Sequence, residues 1–130
     1  MELLSETATD AELIAFVDQW AALMEQEDYA AAHALTEHDA HQGWTPDLMR
    51  EVVKGYGEAQ DEQRVTVAGV PSDIAQRKEV DRWEINASGE VGEVWYDLNI
   101  DGVASDLTAT FRLVRVPGGL VMRLNDIHVM

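Results

Sequence analysis

The sequence predicts a small α+β domain, in which three N-terminal helices pack on an antiparallel sheet of four to five strands. Apolar residues recur at helical spacing as far as Tyr56, and from Arg64 onward they alternate in short runs separated by turn residues. Helices followed by strands that tight turns connect favour a layered fold, in which the helices cover one face of the sheet. With 130 residues, we expect residues 1–130 to form a single domain.

The first two helices are predicted from their caps and from one apolar stripe. Thr9 followed by Glu12 forms a capping box, in which each side chain satisfies a free amide of the first turn. Asp28 interrupts the stripe and caps a shorter, alanine-rich helix that ends near Leu35. The residues at helical spacing on the first helix are Leu13, Phe16, Val17, Trp20, Leu23 and Met24.

A third helix is predicted to begin after Thr45. Threonine caps the helix, Pro46 takes the first helical position, and Asp47 faces the positive end of the helix dipole. Gly57 predicts the end of this helix, with Tyr56 in its last turn. The polar residues 36–43 before it are predicted to form a loop.

Five strands are predicted after the helices. Asp101-Gly102 is a strong signal for a two-residue hairpin turn, because both residue types tolerate positive φ. The apolar phase of the last strand switches near Asn125-Asp126, which predicts a β-bulge. The expected spans are 64–70, closed by a turn at 71–73, then 79–86, 91–100, a strand after residue 102, and 120–129.

The charge of the chain restricts its partners. Twenty-five acidic and nine basic residues give a net charge of −16, which repels nucleic-acid backbones and anionic membranes, so neither is expected as a partner. A basic protein partner is compatible with this charge, and an acidic interaction or immunity-type module is therefore one functional hypothesis. The acidic residues are spread along the chain, which favours a solvated surface instead.

The chain lacks cysteine, so disulfides and thiolate metal sites are excluded. Its acidic start does not have the pattern of a signal peptide, and no run approaches the ~20 apolar residues that a membrane span needs. We therefore expect a cytoplasmic protein.

Residues 16–32 (FVDQWAALMEQEDYAAA) resemble the first two helices of the nuclear transport factor 2-like superfamily, which includes polyketide cyclases and ketosteroid isomerases. Glu27-Asp28 stands at the short acidic step between those helices, and residues 126–129 (DIHV) are similar to the final strand of many members. The resemblance implies a cystatin-like cone, with a curved sheet around the helices and a pocket at the open end. The superfamily also has a strand between its second and third helices, which residues 36–45 do not predict.

The same resemblance argues against steroid isomerase chemistry. Trp20 falls where ketosteroid isomerases carry the helix-one tyrosine of their oxyanion hole, and a neutral indole is a poorer partner for a developing oxyanion than an acidic phenol. The region of their catalytic carboxylate falls near Trp44, where no acidic residue stands.

Two sets of side chains are candidates for binding surfaces. In a cone, Trp20, Tyr56, Trp83 and Tyr96 are placed to line a pocket for a flat apolar ligand, although ordinary core packing is the simpler explanation for them. On the other face of the sheet an aromatic residue stands beside threonines and arginines, as in protein interfaces, and superfamily members commonly form dimers through this face. We therefore predict a homodimer interface that contains Trp95, Thr108, Thr110, Arg112 and, less directly, Arg123.

Catalytic and metal-binding readings remain as alternatives. Asp126 and His128 point to the same side of a strand, so the carboxylate could hold the imidazole for proton transfer in a lyase or isomerase, unless the bulge separates them.

Imidazoles and carboxylates in one region suggest a metal site, but no zinc spacing fits, so a solvated loop is favoured and no metal or other cofactor is expected. These residues are His33, Glu37, His38, Asp39 and His41.

The leading functional hypothesis from the sequence is a small domain that binds an apolar small molecule in the cone pocket, without established catalysis.

Overall fold

The computed structural model describes residues 1–37, 43–70 and 76–129. The protein is α+β, with three helices and an open antiparallel sheet of five strands. Helices occupy residues 10–54 and strands occupy residues 65–129. The elements are α1 (Asp10–Glu25), α2 (Tyr29–Leu35), α3 (Pro46–Lys54), β1 (Val65–Thr66), β2 (Lys78–Arg82), β3 (Glu90–Ile100), β4 (Val103–Val116) and β5 (Gly119–Val129).

The three predicted helix caps are confirmed. The Thr9 hydroxyl accepts a hydrogen bond from the Glu12 amide at 3.2 Å, and the Glu12 carboxylate accepts one from the Thr9 amide, also at 3.2 Å. Asp28 and Thr45 cap α2 and α3 in the same way, each at 3.1 Å. Local side-chain chemistry therefore decides where each helix begins.

The predicted end of α3 is wrong by two residues. The helix ends at Lys54 and Gly55 caps it, so Tyr56 lies beyond the helix. The Gln63 side-chain amide donates to the carbonyls of Val53 and Tyr56, each at 2.8 Å. These bonds satisfy carbonyls at the end of the helix and stabilise the turn that replaces its predicted last residues.

The sheet is built around β3 and β4. β1 and β2 pair with different parts of one edge of β3, β4 pairs with its other edge, and β5 pairs with β4. The hairpin turn between β3 and β4 is confirmed, since Asp101 and Gly102 have φ values of 52° and 80°. These values are those of a type I′ turn, which matches the twist of paired strands.

The first two strands are shorter than predicted. β1 has two residues, and just beyond it the Asn99 side chain donates to the Val67 carbonyl at 2.9 Å. β2 begins one residue earlier than expected and ends at Arg82. Further along, the Asn86 side chain accepts from the amides of Ser88 and Glu90 in the turn that leads to β3. The turn predicted at residues 71–73 lies outside the described residues.

The predicted bulge in the last strand is confirmed. Thr110 pairs with Asp126 while its neighbour Phe111 pairs with Leu124, so Asn125 is the extra residue of β5. The bulge restores the alternation of the strand, and both Leu124 and Ile127 are buried in the core.

The core lies between α1 and the face of the sheet towards it. Trp20 is fully buried and packs edge-on against Phe111 of β4, with ring centroids 5.1 Å apart. Edge-to-face aromatic pairs add to the stabilisation that burial alone gives. The other fully buried side chains here include Leu13, Val17, Met24, Leu98, Leu113 and Met122.

Polar side chains fix α1 along the sheet. The Tyr96 hydroxyl of β3 donates to the Asp18 carboxylate, and Lys78 of β2 lies 3.3 Å from the same carboxylate oxygen. Arg82 reaches Asp10 and the Ala8 carbonyl, both at 2.8 Å. Burial, together with the hydrogen bond to Asp18, raises the pKa of Tyr96 above its ordinary value.

The outer edge of β5 is covered at two points. Leu4 exchanges two backbone hydrogen bonds with Leu120, of 2.7 and 2.8 Å. Glu37 forms a parallel bridge to Arg123, with its amide donating to the Met122 carbonyl at 2.7 Å. The described part of the predicted loop after α2 therefore includes one strand-like contact with the sheet.

Replacement of the buried tryptophan tests the position of the core. We expect Trp20→Ala to lower the free energy of unfolding by about 3–5 kcal/mol, because it leaves a cavity beside Phe111. Trp83→Ala is the matched control, since 39% of Trp83 is exposed and we expect a loss of about 1 kcal/mol or less. Urea denaturation of both variants measures the difference, and equal losses would contradict this description of the core.

The raised pKa of Tyr96 predicts how stability depends on pH. Tyrosine in the unfolded chain ionises near about pH 10, whereas folded Tyr96 keeps its proton to higher pH. The unfolded chain then binds fewer protons, so the free energy of unfolding falls as pH rises above about 10, by up to about 1.4 kcal/mol per pH unit for this group. Tyr96→Phe should make the fall shallower in denaturation series at successive pH values. Parallel profiles of the two proteins above pH 10 would refute the assignment.

Candidate functional site

A groove of about 450 Å³ lies where two strand connections and the N-terminal segment meet. The β2–β3 connection, the end of β4 with the start of β5, and the segment before α1 each contribute to it. Leu120 forms a buried part of its lining, whereas the other side chains are at least partly exposed. The lining residues are Glu6, Arg82, Trp83, Glu84, Ile85, Val91, Arg115 and Leu120.

Trp83, which lines the groove, comes directly after the end of β2. The Trp83 amide still donates to the Val91 carbonyl at 3.0 Å, so the backbone remains beside β3 after the strand ends. The Trp83 indole donates to the Glu90 carbonyl at 3.2 Å, and the Arg112 guanidinium lies 5.8 Å from the ring centroid. Trp83 is therefore held in place although 39% of it is exposed, and the nearby Ile85 is 53% exposed.

The charged side chains of the groove differ in their partners. Arg82 is already bound to Asp10 and to the Ala8 carbonyl. Within residues 1–37, 43–70 and 76–129, no ion pair involves Glu6, Glu84 or Arg115. Among the described residues, the groove thus combines an apolar lining with two carboxylates and one guanidinium that form no ion pair.

Trp83 alone among the four predicted ligand-binding aromatics lines this groove. Trp20 lies in the core, and its indole N–H has no hydrogen-bond partner among the described residues. Tyr96 is bound to Asp18, and the Tyr56 hydroxyl donates to the Asp106 carboxylate. Burial, followed by the bond to Asp106, raises the pKa of Tyr56.

The predicted catalytic pair lies on the face of the sheet opposite α1. His128 Nδ1 is 3.0 Å from Asp126 Oδ2, and both side chains are partly exposed. The bulge at Asn125 precedes the pair and does not separate it. Neither residue lines the groove.

A buried carboxylate that the sequence analysis did not single out lies on the same face. Asp97 accepts hydrogen bonds from the Trp95 indole and the Thr108 hydroxyl, both at 2.9 Å, and from the Arg77 amide at 2.8 Å. Thr108 pairs across the sheet with both Asp97 and His128. Asp97 could have been identified from the sequence, because the alternation of β3 places it on the polar face beside Trp95.

The predicted dimer residues are largely engaged within the chain. Trp95 lies under the Arg77 guanidinium at 4.4 Å, and Thr108 and Thr110 are buried. Arg112 forms ion pairs with Glu90, at 3.5 Å, and with Glu93. Arg123 likewise forms an ion pair with Glu37, at 3.1 Å. The homodimer remains a prediction.

The candidate metal residues are only partly described. His33 Nε2 lies 3.0 Å from the Trp44 carbonyl, and Glu37 is paired with Arg123. His38, Asp39 and His41 lie outside the described residues. In the described ranges no group of three histidine or acidic side chains is arranged to hold a metal ion.

Comparison with known proteins assigns the chain to a family. No curated protein and no solved structure matches it. No described helix is long and apolar enough to cross a membrane. One family model, described as a domain of unknown function (DUF7668), matches residues 21–130, which include every groove residue except Glu6. Because the match covers well over half of the sequence, this protein belongs to the DUF7668 family.

Proposed function

We propose that this protein is a binding module that holds a small apolar molecule in the groove beside Trp83, without established catalysis. The observation that carries the proposal is the grouping of exposed Trp83 and Ile85 with buried Leu120 around one cavity. Adjacent exposed apolar side chains mark interaction sites more often than single ones do. The volume of about 450 Å³ lies in the range of about 300–1,000 Å³ that small-molecule sites occupy.

We also propose that the sheet is the curved platform of a cystatin-like cone, as the resemblance to the nuclear transport factor 2-like superfamily implies. The register shifts within β3–β4 and β4–β5 support this, because bulges bend the strands that contain them. The interior of this cone is filled by Trp20 and Phe111, so the proposed ligand occupies the groove at the end of the sheet. Dimerisation through the opposite face belongs to the same proposal.

The alternative proposal is a lyase or isomerase in which His128 transfers a proton. It is supported by the contact of 3.0 Å between His128 Nδ1 and Asp126, since a carboxylate beside Nδ1 favours a proton on that nitrogen and leaves Nε2 as the base. A third hypothesis, the acidic interaction module, rests on the net charge of −16.

Binding of a neutral apolar probe tests the groove. We expect 3-phenyl-1-propanol to shift the Trp83 indole signal in ¹H–¹⁵N NMR spectra, with a dissociation constant on the order of millimolar for so small a ligand. Ile85→Ala should weaken binding about threefold, because it removes apolar contact area from the groove.

The matched control is Val103→Ala. Val103 is also an exposed aliphatic residue, with 47% exposure against 53% for Ile85, but it does not line the groove. Binding of the probe should be unchanged in this variant. The proposal fails if the probe shifts no groove resonance, or if the two variants lose affinity equally.

The alternative makes a prediction about the tautomer of His128. In the neutral imidazole, we expect the proton of His128 on Nδ1 next to the Asp126 carboxylate. Imidazole ¹⁵N chemical shifts distinguish the two tautomers, and Asp126→Asn should reduce the Nδ1-protonated population. A dominant Nε2-protonated form in the unaltered protein would refute the proposed base.

A further inference from the structure

We infer that the groove recognises an amphipathic amine, a small molecule with an apolar body and a positively charged ammonium group. The inference rests on the proposed function, since it assumes that the groove binds a ligand, and it specifies the charge of that ligand. Three observations carry it: the charges of the groove lining, the charge of the chain, and the partial exposure of Trp83.

The unpaired charges of the groove favour a cation. Asp10 already neutralises Arg82, with contacts of 2.9 and 2.8 Å to its guanidinium. The lining side chains without an ion pair among the described residues are then Glu6, Glu84 and Arg115. Two carboxylates outweigh one guanidinium, so a bound ammonium group gains more electrostatic stabilisation than a bound carboxylate.

The net charge of the whole chain also favours a cationic ligand. A net charge of −16 on 130 residues creates a negative potential around the protein. This potential raises the local concentration of cations and lowers that of anions at the mouth of an exposed groove. The effect is screened beyond about 8–10 Å at physiological salt, so it assists recognition by the nearby carboxylates and does not replace it.

Trp83 supplies an aromatic surface suited to a cation. Trp83 as a whole is 39% exposed, and its indole N–H is already bound to the Glu90 carbonyl. Tryptophan is the most favourable side chain for cation–π contact, and Arg112, which lies 5.8 Å from the centroid of this ring, is itself neutralised by Glu90 and Glu93. Ile85, Val91 and Leu120 then provide apolar surface for the body of the ligand.

A matched series of three probes tests the inference. 3-Phenylpropylammonium, 3-phenyl-1-propanol and 3-phenylpropionate share one apolar body and differ in charge at pH 7. In NMR titrations of the full chain, we expect the amine to bind about fivefold more tightly than the alcohol, and the carboxylate to bind more weakly than the alcohol. The preference for the amine should decrease at 0.5 M salt.

Charge-neutralising variants test whether the charged side chains of the groove recognise the ammonium group. Glu84→Gln should weaken amine binding about threefold and affect alcohol binding less, and Arg115→Gln should strengthen amine binding. The matched control is Glu58→Gln, which removes the same charge from an exposed position outside the groove lining and should leave both affinities unchanged. All these side chains are exposed, so we expect the variants to fold.

The possible outcomes separate the two proposals. If none of the probes shifts a groove resonance, the proposed function and this inference both fail. If the alcohol or the carboxylate binds as tightly as the amine, the groove binds apolar ligands but the inference is overturned. Equal effects of Glu84→Gln and Glu58→Gln would show attraction by the overall charge alone, which also overturns recognition by the groove.

Discussion

The packing of α1 against the sheet is the interaction on which the rest of the structure depends. Trp20 fills the space between them and contacts Phe111, while Tyr96 and Arg82 fix the polar side of the helix to β3 and β2. Burial of these large side chains supplies most of the stabilisation, and the polar contacts determine where along the strands the helix lies. The same contacts place the segment before α1 at the end of the sheet, where Glu6 reaches the groove.

Features that depend on neighbouring residues could be predicted from the sequence. The caps at Thr9, Asp28 and Thr45 and the turn at Asp101-Gly102 each depend on a few adjacent side chains, and all four are present. The bulge at Asn125 was predictable because the break in apolar alternation is visible within the sequence of β5 itself. Features that depend on more distant partners were not predictable, as the early end of α3 shows. Gln63 forms side-chain bonds to the carbonyls there that periodicity does not reveal.

The candidate site shows the same difference between features set by neighbouring residues and features set by distant ones. The sequence predicts Trp83 as one of four ligand-binding aromatics, but its neighbours in the groove come from segments far apart in the sequence. Apolar alternation indicates which face of a strand a residue occupies and gives no information about which connections meet at the end of a sheet. Sequence reasoning therefore grouped Trp83 with Trp20, Tyr56 and Tyr96, which share its chemistry, whereas the structure groups it with Arg115 and Leu120.

The contact between Leu4 and Leu120 has a consequence for the order of events during synthesis. Residues near the start of the chain obtain their backbone partners from the last strand, and Glu37 does the same through Arg123. Contacts of such wide sequence separation form slowly, because a long loop must close before they contribute. On the ribosome, the helices and the β3–β4 hairpin can associate first, but the N-terminal segment has no strand to join until β5 has emerged from the exit tunnel.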